Sequence, residues 1–160
     1  MSKITIVKEA AEKALAIEGD RTRQLIGRAE KFVAGAAIVT GYQMTDLAQL
    51  LASSSLWAKV SCHLALGALG LSLFFGFYNL RLKGYAGYPR GDTLWETLKP
   101  ENVSEDAAEL AVIQLLLKTR EQGAKLNDAK ARSLAWCGWL LFAGILLVIG
   151  SHLLDALANM

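Results

Sequence analysis

Two long stretches free of Lys, Arg, Asp and Glu constrain this chain more than any other feature. Residues 60–80 (VSCHLALGALGLSLFFGFYNL) carry none of the four, and residues 133–151 (SLAWCGWLLFAGILLVIGS) hold no ionisable group except the Cys137 thiol. A helix needs about 20 mostly apolar residues to cross a ~30 Å hydrocarbon core. A soluble helix apolar on every face needs a larger protein around it, and this chain has 160 residues. Hydrophobic residues reach 53% and are gathered in blocks rather than spread through short strands.

A third block, residues 32–51 (FVAGAAIVTGYQMTDLAQLL), carries Gln43, Asp46 and Gln49 in its second half. An Asp at a helix centre costs about 2.5–3.5 kcal/mol on the insertion scale, but Asp46 lies well past the centre. A neighbouring helix can also shelter the polar face. The block reads as a membrane span, with a re-entrant or interfacial segment as the competing reading.

Charge placement sets the orientation. Sixteen of the 17 basic residues fall either before the first block (Lys3 to Lys31) or between the second and third (Arg81 to Arg132), leaving only Lys59 in the SSSLWAK turn. By the positive-inside rule the N-terminus and residues 81–132 are cytoplasmic. Without the first span these basic clusters would be split across the membrane. Trp57, Tyr78, Tyr85, Trp136 and Trp139 sit near the expected boundaries, as interfacial aromatics do. No cleaved secretion signal is expected from the polar N-terminus. Cys62 and Cys137 map near opposite ends of different helices, so no disulfide is expected between them.

The expected organisation is therefore an all-α integral membrane protein. A cytoplasmic amphipathic helix (1–31) leads into a transmembrane hairpin (32–80, with spans at about 32–51 and 60–80). A cytoplasmic loop and helices (81–132) then lead into a third transmembrane helix (133–158). Ile4, Val7, Ala11 and Ala14 recur at helical spacing in the first segment, with Gly19-Asp20 as a possible break. Its basic residues suit anionic lipid, but with acidic residues interleaved the favoured reading is a cytoplasmic helix packed on the rest of the protein. Thr93-x-x-Glu96 resembles a capping box ended by Pro100. A further helix begins near Ser104, with Glu105, Asp106 and Glu109 suited to the positive end of its dipole. Run on through the third span, it would be roughly 80 Å long. Ala108, Ala111, Leu115, Gln122, Leu126 and Ala129 approximate a seam along it, weakened by Gly123; the seam suggests self-association through Leu115 and Leu126, and packing onto the N-terminal helix of the same chain explains it equally well.

No Walker A loop, GxGxxG after a strand, HExxH, paired CxxC or Gly-x-Ser-x-Gly elbow occurs, so no catalytic residue and no cofactor is assigned. His63, His152, Asp46 and Asp155 map to one depth near the non-cytoplasmic ends of their spans. Such a set could bind a divalent cation or relay protons, or it could be interfacial polar groups paired with water, headgroups or each other. Ala68, Ser72 and Gly76, and likewise Ala37 and Gly41, fall four apart, a spacing that lets helix backbones approach. Arg90 in GYAGYPRGD, beside glycine N–H groups, is the candidate anion contact, against a plain solvated connector.

The basic run Arg21, Arg23, Arg28, Lys31 ahead of the first span, and Asn127-Asp128-Ala129-Lys130 leading into Leu134, carry an architectural resemblance over most of the chain. The arrangement resembles the small membrane effectors of bacterial anti-phage signalling systems, notably the Pycsar and SLATT groups. The resemblance implies a non-enzymatic oligomeric effector or pore-forming protein that damages or permeabilises the bacterial inner membrane when a cytoplasmic protein or nucleotide signal activates it, and no ligand residue carries over. Partners expected are the lipid bilayer and further copies of the chain, with no nucleic acid polymer. The alternatives are a scaffold or accessory subunit holding a cytoplasmic partner through residues 84–132, and a membrane enzyme or transporter using His63, Asp46, His152 and Asp155.

Overall fold

The computed structural model describes residues 3–81 and 104–160, and every element there is α-helical: α1 (Lys3–Thr45), α2 (Leu47–Ala52), α3 (Leu56–Arg81) and α4 (Glu105–Ala158). Arg90, Tyr85 and the Thr93–Glu96 pair lie outside the described residues. Two helices, Leu56–Arg81 and Glu105–Ala158, are long and apolar enough to cross a membrane. Helix α1 does not meet that test by itself.

The described residues form two compact units. Unit 1 takes α1 up to Leu25 and α4 up to Ala129. Unit 2 takes α1 from Ile26, α2, α3 and α4 from Lys130.

In unit 1 the two helix segments run parallel, with Ala11 and Leu15 of α1 packed against Leu116 and Val112 of α4. Ser104 starts α4 as a cap, its Oγ accepting from Ala107 N–H at 3.4 Å. Gly19-Asp20 does not break α1, because Gly19 is buried in the contact and its neighbours keep helical bonding. The buried line differs from the expected one: Ala11, Leu15 and Thr22 face inward, whereas Val7 is 49% exposed. On α4 the buried residues are Ile113, Leu116, Gly123 and Asn127, and the expected seam residues Leu115 and Leu126 are only half-buried. Helices packed at a 3.5-residue repeat keep one narrow stripe inward, and this stripe lies beside the one read from the sequence.

Asn127 is the polar centre of unit 1. Its Nδ2 donates to Glu18 O (3.0 Å) and Glu18 Oε2 (2.9 Å), while Thr22 Oγ1 lies 2.9 Å from its Oδ1. Thr22 also reaches Glu18 O at 2.9 Å, so its single hydroxyl proton serves one acceptor at a time. Arg21 Nη2 meets Asp128 Oδ1 beside it at 2.8 Å. A buried Asn on such a stripe specifies register. Asn127→Leu should lower stability by about 1–3 kcal/mol, since the half-buried Glu18 carboxylate loses the amide donor that Asn127 supplies, while Thr22 keeps Glu18 O as acceptor. Thermal unfolding in detergent measures this; an unchanged midpoint would mean water replaces the amide without loss.

Unit 2 joins the rest of α1 to α3 and α4, with α3 antiparallel to α4. The buried residues of α3 are Ala58, Cys62, Ala65, Leu69, Ser72, Gly76 and Asn79. Their spacing alternates four and three throughout, the heptad rhythm of a left-handed supercoil. On α4 the same rhythm runs through Leu134, Cys137, Gly144, Val148, Ser151 and Asp155. Of the expected packing set, Ser72 and Gly76 lie on the stripe, but Ala68 is only half-buried, because the four-three alternation selects Ala65 and Leu69 instead. Ala37 and Gly41 face outward, and a Cβ at Gly41 would meet nothing within 4 Å.

The helix in the first block is shorter than expected. Helix α1 ends at Thr45, where Asp46 takes φ −98° and ψ 0°, and the six-residue α2 follows. Ser53 and Ser55 shape the turn into α3, with Ser55 Oγ accepting from Ala58 N–H at 3.3 Å.

Candidate functional site

The interior of unit 2 mixes small and polar side chains with an apolar centre, and its exterior carries large apolar side chains. Ser72 Oγ donates to Cys137 O at 2.9 Å, and Cys137 Sγ donates back to Ser72 O at 3.2 Å. Asn79 Nδ2 donates to Ser133 Oγ at 2.8 Å, and Ser61 Oγ donates to Leu147 O at 3.0 Å. Between these rungs, Ala65, Leu69 and Val148 form the apolar centre, flanked by Val39, Leu141 and Leu147. Outside stand Phe74 (63% exposed), Trp139 (68%), Phe142, Leu146 and Ile149. Both cysteines are buried free thiols. Lys130 is buried on the same α4 stripe, and that burial pushes its ammonium pKa down.

The polar groups expected at one depth are only partly gathered. Asp46, in the break between α1 and α2, places Oδ2 3.9 Å from His152 Nε2 on α4. Tyr42, one turn back on α1, sets its ring 5.9 Å from the imidazole. Asp155 is buried one turn beyond His152, its Oδ1 without a hydrogen-bond partner. His63 stands apart on the exposed side of α3, its Nδ1 2.8 Å from Lys59 O. Among the described residues no group of three or more His, Cys, Asp or Glu could hold a metal ion. Of the four, Asp46 and His152 are brought near each other, and His63 is directed to its own helix carbonyl.

Gln43, a further buried polar residue of α1, is not a site candidate from sequence. Fully buried on α1, it donates from Nε2 to Cys62 Sγ at 3.2 Å, while its Oε1 has no partner. The available signal was its place seven residues after Ala36 and fourteen after Ala29, both on the buried stripe of α1. Asn127 with Glu18 and Thr22 was missed as a contact for a related reason, since nothing local shows which face of a long helix meets another.

No protein family, characterised protein or solved structure matches the chain.

Proposed function

We propose that this chain is a non-enzymatic membrane protein that acts as an oligomeric effector on the bilayer holding it. The observation that carries the reading is the inverted packing of unit 2. In water, burying Ser72, Gly76, Asn79 and Gln43 while exposing Phe74, Trp139 and Phe142 would forgo most of the hydrophobic stabilisation. In lipid the exterior is solvated by acyl chains, and small residues with interhelical hydrogen bonds hold the helices together. Helices α3 and α4 supply two crossings. The third uses α1 from about residue 32, with Gln43 sheltered against Cys62. The N-terminus and residues 81–132 then face the cytoplasm of a bacterial cell, as the basic residues require.

Assembly is supported by outward small residues. Gly67 and Gly70 are exposed on α3, and a Cβ at either would meet nothing within 4 Å. Backbones of a second copy can approach there. The likeness to defence effectors adds the outcome of assembly, which is permeabilisation of the inner membrane on a cytoplasmic signal. The scaffold reading draws on unit 1, where Ile17, Leu110 and Leu117 are exposed among the described residues and would suit a protein partner.

One set of measurements tests orientation and activity together. A reporter fused after Met160 should lie outside the cytoplasm, and one inserted near Asn102 inside. Purified protein should form a multimer in detergent and release dye from vesicles of anionic and zwitterionic phospholipid. Both reporters on one side would remove a crossing. A monomer that releases nothing and retains a cytoplasmic protein would replace the effector with the scaffold.

A further inference from the structure

The helix segments of unit 1 meet through Ala11, Leu15, Leu116 and Val112. Large apolar side chains stay exposed outside that contact, among them Ile6 (54%) and Ile17 (60%) on α1 and Leu110 (51%) and Leu117 (45%) on α4. They are not scattered. On α1 the exposed residues Ile6, Ala10, Lys13 and Ile17 follow at intervals of four, three and four. On α4 the exposed residues Leu110, Gln114, Leu117 and Glu121 repeat those intervals, with exposed Asp106 one turn before. Such intervals keep a stripe on one side of a helix, the pattern by which parallel helices pair. At about 100° per residue, Ile17 lies about 200° round α1 from buried Leu15, facing away from α4. Leu117 lies about 100° from buried Leu116, on the flank of α4. The two stripes of one copy therefore cannot meet.

We propose that these stripes are the two halves of one interface, in which the α1 stripe of one copy packs on the α4 stripe of the next. This deepens the oligomer reading above and rests on it. Charge selects the pairing. Between Ile6 and Ile17 the α1 stripe carries one charge, Lys13, whereas the α4 stripe carries Asp106 and Glu121. Glu121 also meets Lys125 of its own helix at 2.8 Å. Pairing α1 with α1 would set Lys13 against Lys13, and pairing α4 with α4 would set carboxylate against carboxylate. Like charges facing across an interface are unfavourable. Register agrees. Copies inserted with one orientation run these helices parallel, as they run within the unit, where Leu15 packs on Leu116. At that register Ile6 stands between Asp106 and Leu110, and Ile17 beside Leu117. Lys13 then stands beside Gln114, whose amide oxygen can accept from the ammonium. A contact between two unlike faces is head-to-tail, and it closes into a ring where the rotation allows. The scaffold reading would give the same side chains to another protein. The match of one stripe to the other in spacing, charge and level favours a second copy.

The test is disulfide cross-linking of the full chain in detergent. Ile17→Cys and Leu117→Cys should each give no cross-linked dimer when oxidised alone. Co-expressed with tags of different size, the two variants should give a mixed dimer, since only unlike faces come within a Cα separation of about 4.4–6.8 Å. A chain carrying both changes should give a ladder of multimers. Wild type is the control, because Cys62 and Cys137 are buried. Ile17→Asp should raise the concentration at half assembly about tenfold or more. The dilute monomer should melt as wild type, because the side chain is exposed within one chain; should this variant misfold, the cross-links still decide. Cross-linking of either cysteine variant with itself would overturn the pairing. A multimer by light scattering, with no cross-link between the co-expressed variants, would overturn the pairing and leave the oligomer reading standing. A chain that is monomeric at every concentration would remove both.

Discussion

Leu71→Asp with Phe74→Asp should keep the chain out of the membrane. Both side chains are exposed, at 52% and 63%, near the middle of the charge-free stretch of α3. If the face meets lipid, each Asp costs about 2.5–3.5 kcal/mol near the bilayer centre. The two together approach the whole stability of a domain, about 5–15 kcal/mol. If the same face met water, exposed substitutions would each stay within about 0.5 kcal/mol. Cell fractionation separates these outcomes. A double variant found in the membrane at wild-type level, with its melting point unchanged in detergent, would remove the basis for the effector reading.

Gly76→Leu should be the most damaging single change inside unit 2. A Cβ at this position would collide with Val33 Cγ2 and touch Cys137 Sγ at 3.5 Å. Valine is stiff at χ1, so Val33 cannot swing away, and α1 must move off α3. Overpacking of this kind costs about 1–3 kcal/mol for added methylenes. It also threatens the Ser72–Cys137 bonds one turn along. Gly70→Leu supplies the contrast, since the space around Gly70 is open within one chain. That variant should melt as wild type when monomeric but lose oligomer and dye release if copies meet at this face. Equal loss of monomer stability from both would show that Gly70 serves folding within the chain.

These comparisons separate what was legible in the residues from what was not. The absence of Lys, Arg, Asp and Glu from residues 60–80 and 133–151 is local information, and the helices Leu56–Arg81 and Glu105–Ala158 contain those stretches. The start of α4 after Ser104 was legible too, because a capping hydroxyl and acidic first turn act on the nearest N–H groups. The end of α1 at Thr45 was not. Asp46 reads as one tolerable polar residue in an apolar block, and its departure from helix is seen only beside α2 and His152.

Facing was decided by tertiary structure alone. A helix apolar all round has no amphipathic side to read, so Ala68 and Ala65 look equivalent until α4 arrives to bury Ala65. Along the first part of α4, a shift of one residue separates Leu115 from Leu116, and packing against Leu15 chooses the second. The same step explains the polar cluster. Depth along a helix follows from residue number, and it placed Asp46, His63, His152 and Asp155 at one level. Rotation about the axis follows from which neighbour is met at a 3.5-residue repeat. It turned His152 toward Asp46 and left His63 against its own helix carbonyl.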